Sequence, residues 1–488
     1  MKISKLLKHT LIMTVVNLIM RCTAVGFNAF LTSKIGSSGM GLFQLIITVY
    51  TLATTFSSAG IKLATTRVAV EINILNKNDM NKSVSMCVKY AGICGCIIGI
   101  FLYIFSDYIA EYWISDIQTV LPLRILSLSL PFVAMSAALG GYFTAIEKIP
   151  QFSTVQLLEQ FFKISVVALL IFKYKNMNAF QSCIAVVAGM TAAEIFSFTL
   201  SLLLKIKTIP KKTNKEQINL FRMLRVALPD AAGTCVRSIL LTIEHLLIPK
   251  GFRKSGEGAE SSLAAYGNIH GMALPILLFP SAVLSSLASL LIPHLAKRNE
   301  IGDKKSIDYL VSKNLKRTFF FSVICAVFCA VFAPFISQLI YKSNEAVMYI
   351  RILSPLVPVM YMDMITDGML KGLDQQIYSM RYNIIDALFC VVMVYTVLPV
   401  YSVKGYIFIL YASEIINFYL SLGRLTKICD IRLFQAHGEG NSRLFGRKKC
   451  TNALQEYGYH TYQDLKKRSQ DPLFFHKIFH IQDLREWL

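Results

Sequence analysis

The sequence contains few charged residues, and acidic residues are the rarer sign. Of its 488 residues, 16% are charged and 54% are hydrophobic, and the mean hydropathy is +0.52. About a quarter of the residues of a soluble globular domain are charged, so this composition excludes an ordinary soluble fold. Apolar runs of about 20 residues follow one another instead, which is the length that a helix needs to cross a bilayer. The sequence predicts an all-α membrane protein.

Motifs for catalysis and for nucleotide or metal binding are also absent. No Gly-x-x-x-x-Gly-Lys-Ser/Thr loop for nucleotide phosphates is found. Cys94 and Cys96 have no second cysteine pair or histidines at metal spacing, which argues against a zinc site. The longest predicted outer loop, residues 249–262, is too short for the active site of a membrane glycosyltransferase or polymerase. We therefore expect a protein that is not an enzyme and that needs no metal or cofactor.

Twelve membrane-spanning helices are predicted, and a polar, basic connector divides them into two sets of six. The spans lie at about 8–31, 41–62, 84–108, 118–141, 155–173, 179–205, 222–248, 263–292, 315–341, 346–371, 380–400 and 405–428. We expect an N-terminal bundle at 1–208, a C-terminal bundle at 217–432 and a polar tail at 433–488. Residues 471–488 of the tail suit either a short interfacial helix or a disordered segment.

The two halves repeat one another. The segment that begins at Arg124 recurs at Arg351, and further pairs with the same separation in sequence are Pro131 with Pro358, Gly141 with Gly368 and Glu159 with Asp386. Later in each half, Glu194 matches Glu414 at a slightly smaller separation. With six spans per half, both copies enter the membrane in the same direction. The expected architecture is two parallel six-helix bundles around a central cavity.

Positive charge is concentrated on one side of the predicted membrane. The formal net charge is +21, which taken alone would suit a nucleic-acid-binding protein. The predicted inner loops and the N-terminus hold about 25 Lys and Arg, the tail about 12, and the outer loops about 8. The charge therefore reflects membrane topology, with both termini in the cytoplasm and no nucleic-acid partner.

Two arginines lie near the middle of predicted spans. Arg21 is on the first helix of one half and Arg237 on the first helix of the other. Guanidinium groups at matched positions suit a phosphate or diphosphate ligand, because they stay charged and bind its oxygens bidentately. The alternative is that each arginine pairs with a nearby carboxylate such as Glu244.

Glu194 and Glu414 lie deep in matching helices. An ionisable residue within a span is costly, so it usually faces the bundle interior or a water-filled cavity. These glutamates are either structural carboxylates that bridge helices or the site of a coupling ion or proton. Arg124 and Arg351, near the predicted outer ends of their helices, are explained by side chains that reach the interface.

Several stretches resemble the oligosaccharide flippases of the multidrug/oligosaccharidyl-lipid/polysaccharide exporter superfamily, in particular the stage V sporulation protein B group. They are residues 39–45, 59–71, 246–251, 266–280 and 371–386. The resemblance covers about residues 1–432 and implies a MATE-like fold whose cavity is lined chiefly by helices 1, 2, 7 and 8. It places Arg21 where such proteins carry a first-helix arginine. The related MviN-type lipid II flippases use central cavity arginines.

The resemblance implies a flippase in the bacterial cytoplasmic membrane. Its substrate would be a polyprenyl-diphosphate-linked oligosaccharide such as a peptidoglycan precursor, with the spore cortex as one destination, and its partners membrane lipids and cell-wall synthesis enzymes. Gln44, Asn268 and His270 are expected near the cavity, where Asn268 and His270 would bond sugar hydroxyls or make packed polar contacts. The competing hypothesis is a cation-coupled multidrug exporter of the same superfamily. That cargo would favour an acidic cavity, whereas the central arginines favour an anionic one.

Overall fold

The computed structural model describes residues 2–75, 80–146, 148–173, 179–208 and 220–430. The chain forms two compact units, Met1–Leu433 and Phe434–Leu488. The second unit, and with it the predicted tail, lies outside the described residues. The predicted boundary between two halves at 208 and 217 also lies largely outside them, so this division stays a prediction.

Helices account for almost all of the described residues, among which there is no strand. The α-helices are α1 (Lys2–Ser58), α2 (Ile61–Leu75), α3 (Met80–Ile104), α4 (Ser106–Tyr108), α5 (Val120–Ser127), α6 (Leu130–Ala145), α7 (Ile149–Lys173), α8 (Ala179–Thr208), α9 (Leu220–Lys254), α10 (Ala259–Tyr266), α11 (Leu274–Leu278), α12 (Ser281–Ile301), α13 (Lys304–Tyr341), α14 (Val347–Leu353), α15 (Val357–Gly372), α16 (Gln376–Thr396) and α17 (Leu398–Ile428). Two π-helical segments, Ile109–Ile114 and Gly267–Ala273, and two 3₁₀ turns, Ile117–Thr119 and Ser354–Leu356, lie between them.

Among the described residues, nine helices are long and apolar enough to cross a membrane, or eleven if each of two bent pairs counts as one span. The 57-residue α1 contains a non-helical residue, Gly36 (φ 71°), which lies between the first two predicted spans. A straight helix of that length would measure about 85 Å, against a hydrocarbon core of about 30 Å. The all-helical membrane architecture is confirmed, whereas the count of twelve and the two bundles stay predictions.

Helix α13 shows how the bundle sorts its side chains. Phe320, Ile324 and Phe335 are each more than 60% exposed. The buried face of the same helix carries mostly smaller residues, among them Ser322 and Ala326. This is the pattern of a helix in lipid, where small side chains let helices approach and large apolar ones face the hydrocarbon.

Helix boundaries recur at the separation that the sequence repeat predicts. Helix α5 begins at Val120 and α14 at Val347, which is the same separation as that between Arg124 and Arg351. Helices α6 and α15 begin and end with this separation, and α7 and α16 begin with it, at Ile149 and Gln376. The repeat is therefore present in the backbone as well as in the side chains.

Gly141 and Gly368, one pair of the repeat, each mark a close helix contact. A Cβ atom at Gly141 would lie 2.4 Å from the carbonyl oxygen of Lys62 on α2, and one at Gly368 would lie 2.9 Å from Cβ of Ala288 on α12. In both halves the glycine lets the bent helix pack closely on its neighbour.

Replacing Gly141 by Ala is expected to lower thermal stability in detergent by an amount equivalent to about 1–3 kcal/mol, because backbone must move to admit the methyl group. The measurement is the melting temperature of the purified protein. Gly423→Ala is the control, since a Cβ there meets no atom within 4 Å. Equal melting temperatures for the two variants would show that the contact at Gly141 is not tight.

Contacts between the N-terminal and C-terminal helices are concentrated in α1 and α2. Helix α1 packs on α9, α10, α12, α13 and the π-helical Gly267–Ala273, and α2 packs on α9. Helix α1 corresponds to predicted spans 1 and 2, α9 to span 7, α10–α12 to span 8 and α13 to span 9. The site residues on α1 and α9 therefore lie where the two sets of helices meet.

Candidate functional site

Arg21 links α1 to a break in the C-terminal half. Its Nη1 donates to the carbonyl oxygen of Leu278 at 2.5 Å and to Oγ of Ser281 at 2.9 Å. The side chain is half-buried, and among the described residues no carboxylate lies within ion-pair distance of it. The guanidinium thus bonds neutral oxygens, and within the described part of the chain no counter-ion compensates its charge.

The acceptor exists because the helix is broken beside it. Helices α11 and α12 meet at a bend of 60°, and Pro280 at the bend has no N–H to donate. The N–H of Ala282, which would bond Leu278 in a continuous helix, bonds Phe279 at 3.2 Å instead. The carbonyl of Leu278 is therefore free for Arg21 and for Ser281, whose Oγ donates to it at 2.7 Å.

A glycine contact joins the two halves close to Gly36, the non-helical residue within α1. This region is on the predicted outer side of the membrane. A Cβ atom at Gly41 would lie 2.0 Å from the carbonyl oxygen of Leu263, and one at Gly267 would lie 2.2 Å from that of Ser37. A Cβ at Gly271 would meet the side chain of Met40 at 2.5 Å. Backbone therefore packs against backbone here. We call Gly41, Gly267 and Gly271 the glycine contact.

Arg237 faces carboxylates of its own half. It interacts electrostatically with Asp363 on α15, Asp386 on α16 and Glu414 on α17, although no ion pair within 4 Å forms among the described residues. Glu244 on the same helix as Arg237 interacts with Asp386. We call Glu244, Asp363, Asp386 and Glu414 the acidic cluster.

Polar neighbours hold the acidic cluster in place. Ser413 donates to Asp386 at 2.6 Å, and Asn417 donates to Asp363 at 3.1 Å. The second oxygen of Asp363 and the amide oxygen of Asn417 are buried without a partner among the described residues. Two oxygens without donors, in a cluster with a single arginine, suit a proton or a small cation.

Glu194 lies in a smaller mixed cluster in the N-terminal half. It interacts electrostatically with Glu159 and Lys163 of α7, and Glu159 hydrogen-bonds Ser197. Lys163 also lies over the ring of Phe27 on α1, with Nζ 5.3 Å from the centroid. The two predicted coupling residues are therefore both half-buried among charges, but Glu194 has Lys163 near it and Glu414 has Arg237.

The three predicted sugar-binding residues have different surroundings in the structure. Gln44 is half-buried on α1. Asn268 is buried and donates to Oε2 of Glu345 at 3.3 Å, and its own amide oxygen has no partner among the described residues. His270 lies 2.6 Å from the hydroxyl of Tyr406 on α17. Asn268 and His270 therefore make packed polar contacts, which was one of the two interpretations of the sequence, and a sugar-binding role for them stays a prediction.

His270 belongs to an aromatic cluster that the sequence did not indicate. Its ring centroid is 4.7 Å from those of His245 and Tyr266, and the hydroxyl of Tyr266 lies 2.9 Å from Nδ1 of His245. The π-helical turn inserts one residue into the helix and so turns His270 toward α17. Groups of three or more metal-binding side chains do not occur in the described part of the chain.

The glycine contact is a feature between the two halves that sequence reasoning missed. Gly267 and Gly271 form a Gly-x-x-x-Gly pattern within an apolar segment, which is the usual signal for close helix packing in membranes. It would have predicted the contact surface on the C-terminal side, although not its partner, Gly41.

Comparison with known proteins agrees with this architecture. The chain matches the model of the polysaccharide biosynthesis protein family over residues 6–299, more than half of its length. It belongs to this family. Residues 257–396 also match the MatE family. The predicted resemblance is confirmed.

A curated relative and two solved structures extend the likeness over most of the chain. Stage V sporulation protein B of Bacillus subtilis (strain 168) is 23% identical over 393 residues, 78% of this chain and 76% of the relative. Lipid II flippase MurJ in an inward closed conformation has a TM-score of 0.67 at 15% identity, covering 85% of this chain and 87% of that one. An inward-facing multidrug resistance MATE family transporter of the MOP superfamily also scores 0.67, at 12% identity, covering 85% and 98%. This chain thus has a MATE-like fold.

Proposed function

We propose that this protein moves a polyprenyl-diphosphate-linked oligosaccharide outward across the bacterial cytoplasmic membrane by alternating access. The uncompensated charge of Arg21 carries the proposal. A permanent cation within a membrane helix is costly, and here its partners are a carbonyl and a hydroxyl, not a carboxylate. An anionic head group would supply the missing charge. The relatives named for sporulation and for lipid II flipping support a cell-wall precursor as cargo.

Arg21 would exchange its present acceptors for phosphate oxygens. Guanidinium–phosphate bonds are charge-assisted and about twice as strong as bonds between neutral groups. Since Leu278 and Ser281 lie at the break between α11 and α12, their release would leave that break free to change its angle. Substrate binding and helix movement would then be two consequences of one exchange. The predicted role of Arg237 as a second phosphate ligand remains part of the proposal.

The glycine contact would close the predicted outer side while the head group enters from the inner side. Backbone contacts of this kind exclude water without a large side chain, and they separate along a surface with few interlocking groups. Rocking of the two halves about the central site would open this contact and close the other side. The polyprenyl chain would leave through a lateral gap between the halves and would not enter the central cavity.

The proposal is tested by reconstitution. Purified protein in lipid vesicles should move a fluorescent polyprenyl-diphosphate-linked sugar between leaflets, as measured by the fraction that a membrane-impermeant reagent reaches. Arg21→Gln is the matched inactive variant, because it keeps two N–H donors and removes the charge. Equal rates for protein-free vesicles and for the unaltered protein would refute the proposal.

Coupling to an ion gradient is expected to depend on Glu194 and Glu414. A double Glu194→Gln and Glu414→Gln variant should lose the response of export to membrane potential or to a proton or sodium gradient, because the amides cannot change charge. The measurement is flipping rate against the imposed gradient. Asp107→Asn is the control, since Asp107 already forms an exposed ion pair with Arg124 at 2.7 Å. Full gradient response in the double variant would make both glutamates structural.

A cation-coupled multidrug exporter is the second candidate function, and the acidic cluster favours it. Four carboxylates around a single arginine would bind a cationic drug or its counter-transported ion. The match of residues 257–396 to the MatE family falls on this half of the chain. Export of a fluorescent cationic dye from vesicles, with no movement of the lipid-linked sugar, would decide for the exporter.

A further inference from the structure

An apolar crevice lies between helices of the N-terminal half and α9 of the C-terminal half. It has a volume of about 670 Å³, within the range of ligand-binding cavities. Its walls come from α1, α3, the π-helical Ile109–Ile114 and α9, and include Ala53, Phe101, Ile243 and Lys250. We call this space the lateral crevice.

The lateral crevice has the chemistry of a site for hydrocarbon. Thr242 and Lys250 are the polar exceptions in a wall of aliphatic and aromatic side chains. Phe101 is 55% exposed and Ile243 is 39% exposed, so the wall opens to the surrounding medium, which in a membrane is lipid. Lining residues 239–250 of α9 extend about 16 Å along the helix. An extended chain therefore fits better than a compact ligand.

Cationic groups stand at the end of the crevice that is predicted to be outer. Lys250, Arg253 and Lys254 fall in the last turns of α9, and Lys250 donates to the carbonyl of Tyr112 at 2.6 Å. Nε of Arg253 is buried with no partner among the described residues. Trp113 in the adjacent wall is a residue type that favours the membrane interface. The combination fits a lipid with a phosphate in its head group.

We propose that the lateral crevice binds the polyprenyl chain of the exported lipid, and that Lys250 and Arg253 receive its phosphate after it leaves Arg21. The inference rests on the proposed function and adds to it the position of the polyprenyl chain. One wall belongs to α1 and α3 and the other to α9, so movement of the two halves would widen or close the space. A site that the transport movement itself opens and closes suits the transported lipid. An ordinary membrane phospholipid would need no such coupling.

Photo-crosslinking tests the occupant directly. Benzoylphenylalanine is placed at Phe101 in the full-length protein in nanodiscs, and radiolabelled polyprenyl phosphate is the probe. The matched control position is Ile324, which is 68% exposed on α13 and does not line the crevice. We expect at least fivefold more label at position 101 than at 324, competed by unlabelled polyprenyl phosphate and not by excess phosphatidylglycerol. Equal labelling, or equal competition by phosphatidylglycerol, would overturn the proposal.

Two variants test the two parts of the site. Ala53→Trp should fill the crevice and reduce labelling at position 101 about tenfold, whereas Val327→Trp on the lipid-exposed face of α13 should not. Lys250→Gln, which changes no packed apolar group, should lower labelling severalfold, and the exposed Lys404→Gln should leave it unchanged. Unchanged labelling in both Ala53→Trp and Lys250→Gln refutes the site.

The assay reports binding and does not require flipping. If the reconstituted protein moves no lipid-linked sugar but the crevice is labelled as expected, the proposed function fails and the binding site stands. If flipping is observed without specific labelling at position 101, the chain passes elsewhere and this inference fails alone.

Discussion

Replacing Arg21 by Glu will abolish export of the lipid-linked sugar while the protein still inserts in the membrane. The substitution removes the two bonds to Leu278 and Ser281 and places a negative charge where a diphosphate is proposed to bind. We expect the rate to fall by about a hundredfold or more, since each tenfold loss needs only about 1.4 kcal/mol. The measurement is the flipping rate in vesicles that contain equal amounts of protein.

Two further variants separate loss of ligand from loss of structure. Arg21→Lys keeps the charge without the planar guanidinium, so it should retain partial activity with weaker substrate binding. Arg298→Glu reverses a charge in an exposed ion pair with Asp303 and should leave export unchanged. Normal export by Arg21→Glu would contradict a diphosphate role. A loss in Arg21→Glu accompanied by a large fall in melting temperature would assign Arg21 a packing role only.

A valine at Gly41 will keep the predicted outer side from closing. Its Cβ would lie 2.0 Å from the carbonyl oxygen of Leu263, and neither helix can yield without moving its backbone. Overpacking of this kind costs about 1–3 kcal/mol in water-soluble cores, enough to shift a two-state equilibrium by about 5-fold to 150-fold. We expect export to fall by at least tenfold. We also expect the inner cavity to become reachable from the predicted outer side of the membrane, where Gly36 lies.

Accessibility can be measured with a thiol probe. In a variant whose eleven cysteines are replaced by serine, Gln44→Cys reports whether an impermeant maleimide reaches the level below the glycine contact. Gly26→Val is the control, because a Cβ at Gly26 on the same helix meets no atom within 4 Å. Slow labelling in both variants would mean that the glycine contact is not the closure.

Composition and periodicity predicted the helical membrane fold, because a bilayer accepts few backbone arrangements and demands long apolar segments. The repeat predicted the matching boundaries of α5 with α14 and of α6 with α15. The sequence did not predict that the first two spans join in one helix, α1, nor the angle of the bend between α11 and α12. A glycine or proline within a span marks where a helix can break but does not set the angle of the break.

The candidate site was predictable by residue type more than by contact. Arg21, Glu194 and Glu414 stand out because charge within a span is rare. Their partners depend on which helices meet, so neither the bonds from Arg21 to a broken helix nor the carboxylates around Arg237 follow from the sequence. Asn268 and His270 are two residues apart and yet bond Glu345, in the turn before α14, and Tyr406, on α17.

The two halves have matching helix boundaries but different arrangements of charged residues. At the separation that pairs Glu159 with Asp386, Lys163 corresponds to Cys390, so the copy that surrounds Glu414 has no such lysine and has Arg237 from another helix instead. Glu194 is balanced by a lysine on a neighbouring helix, whereas the acidic cluster holds four carboxylates to one arginine. The two halves thus have matching helix boundaries but different numbers of acidic and basic side chains around their glutamates. A cation gradient would therefore act more strongly on the C-terminal half, where carboxylates are in excess, than around Glu194.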